Sequence, residues 1–296
     1  MSQKILAFSG KKQAGKNTCA NFVVGTEMMV LNLIEYFTLN ELGKLVVPAQ
    51  MEDGSIEDGI FDLDRKDEQF IFYLAEKVWP YVKLYSFADP LKEFCINVLG
   101  LEYEQCYGTD EQKNSETHLR WENMPGVVTP TQAQKIAEGF AIDDEGTTYN
   151  NWVSPFDTID FSETVINCPL LNKENIIIHQ PSSMTAREVL QYFGTNICRR
   201  MYDNVWADAC IRKVQSIQSE FSVITDCRFP DEAEAVQNAG GKVVRLTRQV
   251  SEDQHESEKA LDDWDNFDFV IDNQDLTIME STQLLLEKLK EWNYVT

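Results

Sequence analysis

The stretch SGKKQAGKNT, Ser9 to Thr18, holds the residues whose spacing points most directly to chemistry. Gly10 and Gly15 permit backbone torsions that turn amides inward, so a loop running through Lys11 and Ala14 can cradle phosphate oxygens. Lys16 then supplies a point charge for terminal phosphates. The standard pattern places Ser or Thr after that lysine, to meet a metal. Here Asn17 stands in its place and Thr18 follows one position later. Either Thr18 reaches magnesium through water, or the Asn17 amide oxygen replaces the hydroxyl. Without chemistry, the same residues would make a glycine-rich turn between a strand and a helix. Lys11 and Lys12 favour the phosphate reading, because they concentrate positive charge in a chain of formal net charge −23.

Other cations stand where a helix dipole disfavours them. In YSFADPLKEF, Asp89 can cap a helix whose first turn takes Pro90, yet Lys92 sits in that same turn. An anionic ligand resolves the conflict. In SSMTAREVLQYFGTNICRRMYDNVW, Thr185 and Glu188 form a capping box and Arg187 occupies the first turn. Leu190, Phe193, Ile197, Met201 and Val205 follow at helical spacing and read as core. Gly194-Thr195 interrupts that run at a cost of about 1 kcal/mol of helix propensity, which either close packing or an approaching ligand explains. Trp206 reads as a core side chain or a base-stacking platform.

In FSVITDCRFPDEAEAV, Asp226 and Arg228 fall at the carboxyl end of a strand, where open parallel sheets gather ligands. Asp226 suits a metal-linked water or a substrate hydroxyl, and Arg228 a phosphate. The competing reading is a surface ion pair with Asp231 or Glu232. In VVRLTRQVSEDQHESE, Arg245 and Arg248 belong to a cationic segment that could close over phosphates. His255, set among Glu and Ser, reads as solvated or structural rather than catalytic.

Five β-rich runs must position these groups: Ile5 to Phe8, Val82 to Phe87, Phe221 to Thr225, Val243 to Leu246 and Phe269 to Ile271. Most are continuous rather than alternating, as parallel strands covered on both faces require. Helical patterns lie between them, after Lys16, over Pro90 to Leu99, from Thr185, over Asp231 to Ala239 and over Leu276 to Trp292. The alternation predicts an α/β layered fold. Residues 47–70, acidic and weakly periodic, and residues 102–183 read as insertions in a single domain of 1–296. The second is too long for a structureless loop and reads as a lid or subdomain, with a hairpin around DDEGTTYNNWV.

Composition bounds the function. Hydrophobic residues at 43% suffice for a real core. The excess of acid disfavours nucleic acid and anionic membranes as partners. The seven cysteines form no CxxC pair, which points to reduced thiols in the cytosol, and the three scattered histidines argue against a zinc cluster. No leader and no apolar run near the ~20 residues of a membrane span is visible. A soluble cytoplasmic protein is expected.

Taken in order, SGKKQAGKNT, FADPLKE, REVLQYFGTNICR, TDCRFPDEAEAV, HESE and FVIDN resemble the bacteriophage deoxynucleoside monophosphate kinases. The resemblance implies a P-loop kinase fold of three layers, with a five-stranded, mainly parallel sheet and an inserted lid. It implies ATP, Mg2+, transfer of the γ-phosphoryl to a dNMP for phage DNA synthesis, a homodimer, and the host cytoplasm. Asn17-Thr18 resembles a variant of the family's metal position. Lys16, Arg187, Arg228 and Asp226 are expected to carry the catalysis, and the resemblance suggests phosphate contacts by Lys16 and Arg228. It puts the acceptor monophosphate around Arg187 to Thr195 and adenine near Asn273; Asp89, Lys92 and Trp206 are further expected at the acceptor and Arg248 at ATP. Arg120 and Trp121 of the 102–183 insertion are expected to grip a nucleotide. Three alternatives stay open: a phosphomevalonate-kinase-like enzyme, a kinase of modified bases in DNA, and a non-catalytic nucleotide-binding scaffold.

Overall fold

The structure, a computed structural model, describes residues 3–50, 53–63, 65, 67–137, 141–142, 148–149, 177–249 and 260–295. The HESE motif with His255 lies outside them. Contacts gather the chain into two compact units, Met1–Pro90 with Asn204–Thr296, and Leu91–Asp203.

The chain begins with β1 (Lys4–Ser9) and α1 (Lys16–Val30), then a meander of β2 (Thr38–Leu39), β3 (Leu45–Gln50) and β4 (Ile56–Ile60). Next come α2 (Glu68–Tyr73), a π-helical turn at Leu74–Val78, and β5 (Val82–Tyr85). α3 (Asp89–Asn97) leads into the second unit, where α4 (Tyr103–Tyr107), α5 (Asp110–Lys113), β6 (Glu116–Arg120), β7 (Val127–Val128) and α6 (Pro130–Ala137) follow. Short strands β8 (Ala141–Ile142), β9 (Thr148–Tyr149), β10 (Ile177–Ile178) and β11 (Ser183–Thr185) precede α7 (Ala186–Gln191), which runs on as a π-helix over Tyr192–Arg199. The first unit resumes with α8 (Val205–Ile217), β12 (Phe221–Cys227), α9 (Pro230–Asn238), β13 (Lys242–Leu246), β14 (Phe269–Ile271) and the C-terminal helix Ile278–Glu291.

All five strands anticipated from the apolar runs form one sheet, in the order β14-β13-β1-β12-β5, and every pairing is parallel. The reason is burial. β1 is covered on both faces, with Leu6 and Phe8 in one core and Ile5 and Ala7 in another. The first core joins Ala20, Val23 and Val24 of α1 to Leu285 and Leu289 of the C-terminal helix. The second joins Ala207 and Val214 of α8 to Ala233 and Val236 of α9. The result is the expected three-layer α/β fold. Because the strands run the same way, the residues after Ser9, Tyr85, Cys227, Leu246 and Ile271 all leave one edge of the sheet.

Residues 47–70, weakly periodic in sequence, contribute to a strand pair, with β3 and β4 antiparallel from Val46↔Ile60 to Gln50↔Ile56. Only Leu45 and Val47 of that pair are buried, and β4 is mostly exposed with its Glu57 and Asp58, so the alternation is hidden by charge. Contrary to expectation, the apolar stripe from Leu190 breaks before Val205. The π-helical stretch shifts its phase, leaving Met201 81% exposed, and Val205 starts a separate helix. In the second unit, β8 and β9 pair antiparallel around 143–147, where the hairpin was expected. Its core gathers Cys95, Leu101, Cys106, Trp121, Met184, Val189 and Tyr192. Among the described residues, no helix is long and apolar enough to cross a membrane.

Gly25 tests the packing of α1 on the meander. A Cβ there would stand 2.6 Å from Phe37 Cδ2 and 2.8 Å from Leu45 Cδ1. Gly25→Ala gains about 1 kcal/mol of helix propensity, but overpacking costs about 1–3 kcal/mol. The substitution is expected to lower the urea midpoint, and a midpoint at or above the parent's contradicts this packing.

Candidate active site

The loop after β1 leaves the carboxyl edge of the sheet and returns as α1. Gly15 takes φ 102, a left-handed conformation costly for any side chain. Gly10 lies so close to β13 that a Cβ would stand 2.9 Å from the Leu246 carbonyl oxygen. Lys16 folds back across the turn, its Nζ donating to the carbonyls of Gly10 (2.5 Å) and Lys11 (2.8 Å). Its ammonium therefore stands at the mouth of the loop. Ala14 is buried at the loop's base, and its carbonyl accepts from Asn273 Nδ2 at 2.8 Å. The other end of that amide, Asn273 Oδ1, accepts from the Arg248 backbone N–H at 2.8 Å. Asn273 is 3% exposed, so the residue expected beside adenine is a clamp that joins the loop to the segments after β13 and β14. Arg248, expected in a mobile closing segment, donates from Nε to the Asn273 carbonyl and from Nη2 to that of Leu276.

Two further cations flank the loop. Asp262 bridges them, accepting from Arg245 Nη2 at 2.8 Å and meeting Lys11 Nζ at 3.3 Å, while Arg245 Nη1 donates to the Ser9 hydroxyl. Asn17 is exposed in the first turn of α1. Thr18 is turned toward the meander, where a Cβ on Gly43 would come within 2.1 Å of its hydroxyl. Behind them, burial pushes the Cys19 thiol up to about 12, against the pull of Arg248. It stays neutral and inert.

On the next strands of that edge, Asp226 organises the loop before Asp89. Its Oδ1 accepts from the Phe87 amide (2.7 Å), and its Oδ2 from the Ser86 hydroxyl (2.5 Å) and the Ala88 amide (3.3 Å). Arg228 begins the next turn, where buried Glu232 accepts from the backbone amides of Arg228 and Phe229. The single sheet thus brings Gly10 to Thr18, Asp89, Asp226, Arg228, Arg248 and Asn273 to its carboxyl side. Trp206 is half-buried near the start of α8.

The second unit holds the remaining expected residues. Arg187 donates from Nη2 to Asp110 Oδ1 at 2.6 Å, and Lys92 lies over the Tyr107 ring at 4.4 Å. Gly194 owes its identity to packing, since a Cβ would stand 2.6 Å from Leu91 Cδ2, while Thr195 is exposed. Trp121 is not placed to grip a nucleotide. It is buried, stacked on His179 at 4.5 Å and edge-on to Tyr192. Arg120 is paired with Glu122. One residue escaped the sequence reading. Lys113 ends α5, within electrostatic reach of Arg187 and Lys92, and the Thr109–Gln112 capping box that starts this helix is its available signal.

Asn273 carries a stability prediction. Asn273→Ala strips the buried Ala14 carbonyl of its donor, at a cost of about 1–3 kcal/mol. Asn273→Asp should cost more, because it sets a carboxylate oxygen against that carbonyl. Urea unfolding with amide exchange at residues 14–16 checks both, and unaltered exchange in both variants contradicts the clamp.

Residues 81–282 match the model of a family described as deoxynucleotide monophosphate kinase. The chain is also 24% identical, over 206 residues, to a protein of Acanthamoeba polyphaga mimivirus named "Putative deoxynucleotide monophosphate kinase". That similarity spans 64% of this chain and 73% of the viral one. The family match runs from β5 into the C-terminal helix, across four of the five sheet strands and the whole second unit. With more than half of its length accounted for in this way, the chain belongs to the deoxynucleotide monophosphate kinase family.

Proposed function

We propose that this protein transfers the γ-phosphoryl group of ATP to a deoxynucleoside monophosphate, giving the diphosphate and ADP for DNA synthesis. The observation that carries the reading is the Lys16 ammonium at the mouth of the Gly10–Gly15 loop. Loop amides and that ammonium suit the donor's β- and γ-phosphates. An oxygen of the acceptor phosphate attacks the γ-phosphorus while the bond to the β–γ bridging oxygen breaks, and ADP leaves. Such a transfer needs positioning and neutralisation of charge rather than a strong base.

Within that scheme, Lys16 and Arg228 meet charge on the transferred group, Arg187 and Lys92 hold the acceptor phosphate, and Asp226 keeps the loop before Asp89 in place. Magnesium bound with a nucleotide takes most of its oxygens from phosphate and water, and only one or two from protein. The residues present fit that demand. Among the described residues no three His, Cys, Asp or Glu side chains gather into an ion site, whereas Asn17 offers an exposed amide oxygen beside the loop. When bound, the ion would supply neutralisation of phosphate charge. Asn17 would hold it, with Thr18 braced against Gly43.

A coupled assay with ATP and dAMP, dCMP, dGMP or dTMP tests the reading, with phosphomevalonate and modified-base DNA as rival acceptors. Turnover is expected with at least one dNMP and with neither rival. Lys16→Ala should lower kcat about 100-fold or more at an unchanged unfolding midpoint, and near-normal turnover in the folded variant contradicts the donor role. Asn17→Ala should raise the magnesium concentration for half-maximal rate several-fold. If its titration overlays the parent's, the ion is held elsewhere.

A further inference from the structure

In a chain of net charge −23, the second unit assembles a cluster of cations that the acceptor reading only partly uses. The Ala186 amide donates to the Ser115 carbonyl at 3.1 Å, which fastens the start of α7 to the turn after α5. α5 carries Asp110, the partner of Arg187, at its first position and Lys113 at its last, and Lys92, Asp110 and Arg187 are among the charges within electrostatic reach of Lys113. Burial and Lys92 push the Lys113 ammonium below its ordinary range, Arg187 adds to the fall, and Asp110 alone among these ions opposes it. Of these charges, Asp110 is the carboxylate set among three cations.

The Arg187 guanidinium is itself half used. Its Nη2 is bonded to Asp110, while Nε is shielded from solvent and has no hydrogen-bond partner among the described residues. Nε and Nη2 form one edge of the fork, the edge that grips an oxyanion with two parallel bonds. A single Asp110 oxygen satisfies half of it. Asp110 has 78% of its side-chain surface in solvent, so its pairing with Arg187 is the weak kind that exposed ions make. Buried donors without partners are rare enough to need a cause. A phosphate monoester dianion supplies one, because it has the oxygens to fill Nε and Nη2 together and the charge to answer Lys92 and Lys113.

We propose that Lys113 is a third cation of the acceptor phosphate site, and that Asp110 is its resident counter-ion, which the acceptor's phosphate replaces at Arg187. The proposal rests on the acceptor role given to Arg187 above.

Steady-state kinetics and calorimetry on the full chain test it, with each dNMP set against its deoxynucleoside, which lacks the phosphate. Lys113→Gln should raise the acceptor KM about tenfold, with the KM for ATP little changed and deoxynucleoside binding unaltered. Lys113→Arg should recover most of that loss. Asp110→Asn should act in the opposite direction and lower the acceptor KM several-fold, because it removes the competing charge. An unchanged acceptor KM in Lys113→Gln, or an equal loss for dNMP and deoxynucleoside, overturns the assignment of Lys113. An unchanged or raised KM in Asp110→Asn overturns the counter-ion role. Arg187→Lys separates this failure from the wider one. If it raises the acceptor KM while Lys113→Gln does not, the acceptor reading stands and Lys113 is lost; if neither does, the acceptor reading falls as well.

Discussion

The side chain of Asn273 ties together two backbone groups that lie on separate segments at the carboxyl edge of the sheet. Its Nδ2 holds the Ala14 carbonyl and its Oδ1 holds the Arg248 amide. The loop between β1 and α1 contains Gln13 and Gly15 at positive φ, so its shape is not one that a free chain would keep. A buried amide with both ends occupied fixes that shape, because releasing either end would leave a polar group without a partner in the core. The position of Lys16 follows. Its ammonium can fold over the Gly10 and Lys11 carbonyls only while those carbonyls face the same mouth. The all-parallel sheet supplies the other half of the constraint, because it delivers β1, β13 and β14 to the edge where Asn273 can reach the loop.

Electrostatics works locally in this chain. A net charge of −23 describes the far field, but interactions between exposed charges fade over about 8 Å at physiological salt. Within that range the cations are grouped. Lys11 and Arg245 share Asp262 in the first unit, and in the second Arg187 is paired with Asp110, on the short helix that ends at Lys113. Each carboxylate keeps basic groups gathered without filling all their donors. An acidic protein can carry basic pockets on these terms.

The sheet was legible because its strands are buried on both faces. Continuous runs such as ILAF and FSVIT have few other uses, and the same burial made them parallel. The Thr185–Glu188 box was legible for a local reason: its bonds span three residues, and the structure has them at 2.7 and 3.2 Å. What escaped depends on partners distant in sequence. Nothing within FVIDN shows that Asn273 closes on Ala14, some 259 residues away. Trp121 was read as a ligand grip because its partners His179 and Tyr192 lie beyond an intervening segment. Met201 fell out of its stripe because a π-helical stretch changes the period, and a fixed 3.6-residue template cannot register that. The helix Asp110–Lys113 is short and polar, so no apolar pattern marks it in the sequence.

The central claim is that the clamped loop receives the donor's phosphates, and amide hydrogen exchange with and without ADP and magnesium tests it most directly. Protection is expected to rise over residues 10–18 and in the segment around Asn273, with both regions responding at the same nucleotide concentration. Saturating nucleotide that leaves residues 10–18 unprotected, or protection confined to 91–203, would contradict the account.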